Sequence, residues 1–194
     1  MSISRRDVLK SLAMGAAATS VLRTIPAQAA EYAHHMVAAE KAAAKVYAPK
    51  FFAAHEYKTL QTLCQTIIPA DSDSGGAIEA GAPEFIDLLT SENLEYQVKL
   101  GGGLMWLDGT CSDRYGKVYL DCMPSQQKEI LDQIAYRNNA MTDSRLSQGV
   151  EFFSFLRNLT TDGFFTSEIG IKYLGYVGST FLKEFPGCPP VPGL

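Results

Sequence analysis

Few of the residues that usually announce chemistry are present: three histidines, four cysteines and one tryptophan in 194 residues. No Cys-x-x-Cys pair occurs, which removes the common spacing of a structural zinc site and of a thioredoxin-like redox centre. No Cys-x-x-Cys-His occurs, so c-type haem is not attached to this chain. There is no basic run, and 17 Lys and Arg face 21 Asp and Glu for a formal charge of −4. Nucleic-acid affinity comes from clustered cations, so that class of partner is excluded. No apolar run is long enough for a permanent membrane span. No polybasic patch offers electrostatic attachment to a membrane, so contact with one would come through partners. Strand-like alternation, internal repeats and low-complexity segments are also missing.

Several faint motifs fail on their own terms. Asp71-Ser72-Asp73-Ser74-Gly75-Gly76 starts like a calcium loop, but its fifth position is Gly75 and its twelfth, where a bidentate Glu belongs, is Ala82. Gly101-Gly102-Gly103 lacks the Gly-Lys-Ser/Thr ending of a phosphate loop and follows no strand. Adjacent helical residues point about 100° apart, so His34 and His35 do not readily share one metal. His55 stands alone, and no Gly-x-Ser-x-Gly elbow supports a hydrolase. Asn158-Leu159-Thr160 fits a glycosylation sequon but reads as the end of a helix. No catalytic, cofactor-binding or metal-binding residue is therefore assigned.

What the chain does have starts at its N-terminus. Ser4, Arg5, Arg6, Asp7, Val8, Leu9 and Lys10 follow the order of a twin-arginine export signal, with an apolar, small-residued stretch over 11–22 and Ala27-Gln28-Ala29 as a cleavage site. Cleavage near Ala29 divides the chain into a signal over 1–29 and a single domain over 30–194. The domain's destination is the periplasm. The route carries proteins already folded, usually around a cofactor, yet no cofactor motif is visible here. In that oxidising compartment Cys64, Cys111, Cys122 and Cys188 are candidates for up to two disulfides. Four cysteines allow three pairings, and Cys111 and Cys122 are near enough in sequence to staple one segment.

The rest reads as helices between Gly/Pro loops: an all-α domain of five or six helices. An Ala-rich helix runs toward Pro49. Tyr57, Leu60, Leu63, Cys64, Ile67 and Ile68 make one apolar stripe ended by Pro69, and Pro83 opens the next amphipathic run. The three glycines are expected to break the chain before a helix over 104–115 that carries Trp106. Helices follow from Pro124 to about Tyr136, and from a cap at Asp143 or Ser144 through Val150, Phe152, Phe153, Phe155, Leu156 and Leu159. Beyond them, Phe164, Phe165, Tyr173 and Tyr176 alternate with glycines, as core-pinned turns or as a surface for a partner. With Trp106 they are the candidate interface residues.

Three blocks in this order resemble the gluconate 2-dehydrogenase subunit 3 family. They are residues 60–71 (Leu60 to Asp71, with Ile67-Ile68-Pro69), residues 76–87 (Gly76 to Asp87, with Gly81-Ala82-Pro83-Glu84-Phe85), and Phe152-Phe153 through Gly163-Phe164-Phe165-Thr166 to Gly175-Tyr176-Val177-Gly178. In the last block Ile169 to Leu174 stands where the commoner form has Gly-Gly-Asn and a Trp, which resembles a subgroup serving other sugar or glycoside dehydrogenases. The resemblance implies a non-catalytic small subunit with no cofactor of its own. It implies a large flavoprotein of the glucose-methanol-choline oxidoreductase type that holds FAD and oxidises the sugar or sugar acid, and a cytochrome c partner whose haem takes the electrons. The small subunit would carry the export signal for the flavoprotein and support its fold. Two other classes remain at this point: an independent enzyme using His34, His35 or His55, and a free-standing helical binding protein held by disulfides.

Overall fold

The computed structural model describes residues 25–44 and 47–176. The export-signal residues Ser4 to Lys10, together with Val177, Gly178 and Cys188, lie outside them. Among the described residues there are eight α-helices and no strand. The helices are α1 (Ala27–Ala44), α2 (Ala54–Ile67), α3 (Ala82–Glu92), α4 (Leu94–Tyr115), α5 (Pro124–Ile134), α6 (Arg137–Thr142), α7 (Ser147–Phe165) and α8 (Glu168–Tyr173). Short 3-10 turns at Tyr119–Asp121 and Ser144–Leu146 precede α5 and α7. The all-α expectation holds, with more and shorter helices than the periodicity alone suggests. Among the described residues none is long and apolar enough to cross a membrane.

Helix α3 is the axis of the packing, buried from Ala82 through Thr90. It starts where the sequence places it. Gly81 takes a left-handed φ of 76°, and Pro83 occupies the first turn, where no amide partner is needed. Asn93 ends α3 and caps α4, its side chain accepting from Glu95 N and Tyr96 N. Around α3 stand α1, α2, α4 and α7. The last of these supplies Val150, Phe152, Phe153, Leu156 and Leu159 to the core.

The three glycines do not break the chain. They lie inside the continuous helix α4, and the reason is the neighbour. A Cβ on Gly103 would stand 2.0 Å from Phe152 Cδ2, so only glycine lets α7 pack this close. Likewise a Cβ on Gly149 would meet the Trp106 ring at 2.3 Å. Helix propensity lost at the glycines is offset by close packing of α4 against α7. The second shift is at α7, which begins one 3-10 turn after Asp143 and runs on through Gly163 to Phe165. Asn158-Leu159-Thr160 is therefore helix interior rather than helix end.

Candidate partner interface

The C-terminal turn of α7 and the short helix α8 are locked by Ser167. Its hydroxyl donates to Phe164 O at 2.7 Å and accepts from Gly170 N at 3.1 Å, capping α8. Gly170 is required here because a Cβ would fall 2.1 Å from Phe164 O. Phe164 itself is buried, at 3% exposure, and forms the floor of the region. The rings of Phe165 and Tyr173 meet it edge to face, with centroids at 5.0 and 6.5 Å. Above that floor Phe165, Ile171, Tyr173, Leu174 and Tyr176 all reach solvent, Tyr173 and Tyr176 by more than half their surface. Phe165 and Tyr173 thus stand as exposed rings packed on a buried floor, and Tyr176 is exposed three residues after Tyr173. Trp106 is elsewhere, half-buried against Gly149 and Ile134.

A second apolar surface escaped the sequence reading. Leu94, Val98 and Met105 project from α4 with exposures of 74, 68 and 75%. Their spacing of four and seven residues, with Gly101 and Gly102 between, is the signal that could have found them. Beside Val98 an open groove of about 880 Å³ runs between α4, α6 and α7, with Phe152 and Phe155 in its wall and Lys99, Arg137 and Glu151 at its polar edge.

The N-terminal helix is fastened to the same body at several points. Lys41 Nζ lies 2.6 Å from Glu84 Oε1, and Lys50 pairs with Glu40. His34 stacks on Phe85 with ring centroids 4.9 Å apart, and its Nε2 lies 2.9 Å from Thr166 Oγ1. Because the Thr166 hydroxyl donates to Asp162 O at 2.5 Å, His34 Nε2 is the donor in that contact. Burial, with His35 beside it, holds the His34 imidazole below the ordinary histidine range. Burial also raises the Asp162 carboxyl, partly opposed by the Ile25 amide that it accepts from. Ala27-Gln28-Ala29 forms the first turn of α1, and Ala29 and Ala30 are buried.

The other candidates are accounted for structurally. His35 and His55 are exposed, and His55 Nε2 lies 2.7 Å from Asp108 Oδ2. Asp71 Oδ1 accepts from Asp73 N and Ser74 N, at 2.8 and 2.9 Å, and so closes its own turn. Among the described residues no group of three His, Cys, Asp or Glu side chains is placed to hold a metal. Cys64, Cys111 and Cys122 are buried free thiols. Cys64 Sγ sits 3.6 Å from Thr160 Oγ1, and its burial pushes the thiol up to about 12.

An all-α body with exposed aromatic side chains on its last described helices has the features of a subunit that meets a partner. The match of a family profile makes this particular. Residues 54–187 fit gluconate 2-dehydrogenase subunit 3, and the chain belongs to that family, a subunit of an oxidoreductase complex. No curated protein and no solved structure matches the chain.

Proposed function

We propose that this chain is the non-catalytic small subunit of a periplasmic, FAD-dependent sugar or sugar-acid dehydrogenase. It escorts the folded flavoprotein through the twin-arginine route and stays bound as its structural partner. A cytochrome c receives the electrons. The observation that carries the docking part is the exposed pair Phe165 and Tyr173, seated edge to face on buried Phe164, with exposed Tyr176 close after them in the chain. Preorganised aromatic rings make strong interface anchors because little side-chain entropy is lost when they are covered. Arg5 and Arg6 support the escort part: the address suits a folded, cofactor-loaded cargo, and the cofactor then belongs to another chain.

The decisive experiment removes residues 1–29 and follows dehydrogenase activity between cytoplasm and periplasm. Activity should be trapped inside the cell; a flavoprotein that still arrives in the periplasm without a signal of its own would end the escort reading. The docking face is tested separately with the double substitution Tyr173→Asp and Tyr176→Asp. Co-purification of the flavoprotein should fall at least tenfold while the small subunit's helical spectrum is unchanged. Full co-purification would place the interface elsewhere.

A further inference from the structure

The sequence leaves the pairing of four cysteines open; the fold narrows it. Helix α4 ends because Gly116 takes a left-handed φ of 70°, which turns the chain back along the helix. Asp108 Oδ1 accepts from Tyr119 N at 2.9 Å and fastens the returning segment one turn before Cys111. The 3-10 turn over Tyr119–Asp121 then carries the chain on to Cys122, whose amide donates to Tyr119 O at 3.2 Å. Within that turn the Cys122 thiol donates to Lys117 O at 3.8 Å, and Cys111 and Cys122 come near enough to act electrostatically on one another and on Tyr119. Both are buried, at 0 and 6% exposure, beneath a fully buried Tyr119. Cys64 is engaged separately with Thr160, on the contact between α2 and α7.

We propose that Cys111 and Cys122 are a disulfide pair that closes after export, while Cys64 stays a thiol. The timing rests on the export reading; the pairing rests on the turn at Gly116, the Asp108–Tyr119 bond and the burial of both thiols beside Tyr119. Closure is a thiol–disulfide exchange with an external disulfide, either a disulfide-carrying oxidoreductase or oxidised glutathione. One thiolate attacks that disulfide and forms a mixed disulfide, releasing the first external thiol. The second thiolate attacks the mixed bond, joins Cys111 to Cys122 and releases the second. Two electrons pass to the external disulfide, and the protons lost by the two cysteines end on its thiols. Only a thiolate attacks, and burial beside Cys122 pushes the Cys111 thiol up to about 12. Exchange therefore waits for the segment from Gly116 to Cys122 to open. The pair survives folding in a reducing cytoplasm and closes slowly once an oxidant is met. The bond then ties the end of α4 to the start of α5.

The test starts with the full chain purified reduced and incubated with oxidised glutathione, then alkylated under denaturing conditions and mapped without reduction. A linked peptide joining Cys111 to Cys122 is expected, with Cys64 alkylated and the melting temperature raised by roughly 5–10 °C. A bond from Cys111 or Cys122 to Cys64 or Cys188 overturns the proposal, and so does full alkylation of both thiols. The isosteric Cys122→Ser change is the second arm: Cys111 must then be recovered alkylated or as its glutathione mixed disulfide, and its capture by another cysteine of the chain refutes the pair. The same map on protein recovered from cells separates the two premises. A chain that pairs with glutathione but comes reduced from its native compartment refutes the timing and leaves the pairing standing.

Discussion

Removing the carboxylate of Asp87 should cost more than any other single polar change in the described fold. Asp87 is fully buried on α3 and holds down the segment that links α1 to α2. Its Oδ2 accepts from Tyr47 OH at 2.8 Å and Lys50 N at 2.7 Å; its Oδ1 accepts from Phe51 N and Phe52 N, both at 3.1 Å. Four donors converge on one charge, so every lone-pair direction is used. In Asp87→Ala the Lys50 and Phe51 amides, at part-buried contacts, regain water. Tyr47 OH and Phe52 N, at buried contacts, do not. Leaving a buried donor unpaired costs about 1–3 kcal/mol, so two of them give about 4 kcal/mol. For a domain of this size that lowers the melting temperature by roughly 10 °C. Tyr47→Phe removes one donor and orphans nothing on the acceptor side, so about 1 kcal/mol is expected. The double variant should fall short of the sum because both changes touch one network. Thermal unfolding followed by circular dichroism at the helix band measures all three. If Asp87→Ala melts no lower than Tyr47→Phe, the carboxylate is not the anchor and the reasoning fails.

Gly103→Ala should destabilise by about 1–3 kcal/mol, because its Cβ collides with Phe152 and the helices must part. Gly109→Ala, in the same helix with nothing within 4 Å, should stabilise by about 0.5–1 kcal/mol; equal effects in chemical denaturation would refute the packing account. Asp162→Asn should stabilise the chain at neutral pH. A carboxyl whose folded-state pKa is raised favours folding only when protonated, so its contribution is full below 3.8 and is lost as pH rises through the raised value. The gain from Asn should vanish below pH 3.8, and a lower melting temperature at pH 7 would contradict the burial argument. His34 has the opposite sign. Its depressed pKa supports folding above 6.5 and withdraws that support as pH falls below it. His34→Gln should therefore flatten the loss of stability below pH 6.5, although removing the Phe85 stack lowers stability at neutral pH.

Much of the fold was legible because its helices advertise themselves locally. The stripe from Tyr57 to Ile68, Pro83 at the head of α3 and Pro124 at the head of α5 each place an element within a turn of its position. The glycines were misread for a physical reason. Gly101 to Gly103 look like a break when judged by propensity, and only the arrival of Phe152 from a helix distant in sequence shows why glycine is needed. The Asp87 anchor was invisible for the same reason: its four donors lie 35 to 40 residues away. Among the five aromatic residues singled out as an interface, composition could not separate floor from face. Phe164 and Phe165 are neighbours, yet helical geometry turns the first inward and the second toward solvent.

That geometry bears on how one small chain could both carry an address and hold a partner. Thr166, which receives His34 from α1, directly follows Phe165 and lies two residues beyond Phe164, the floor of the aromatic face. The end of α7 thus touches both α1 and the surface proposed for the flavoprotein. Neither contact runs through a flexible joint. Ser167 pins α8 to α7, and Glu84 and Phe85 seat α1 on the buried axis α3. A partner bound at Tyr173 and Tyr176 is held by the same rigid body as α1.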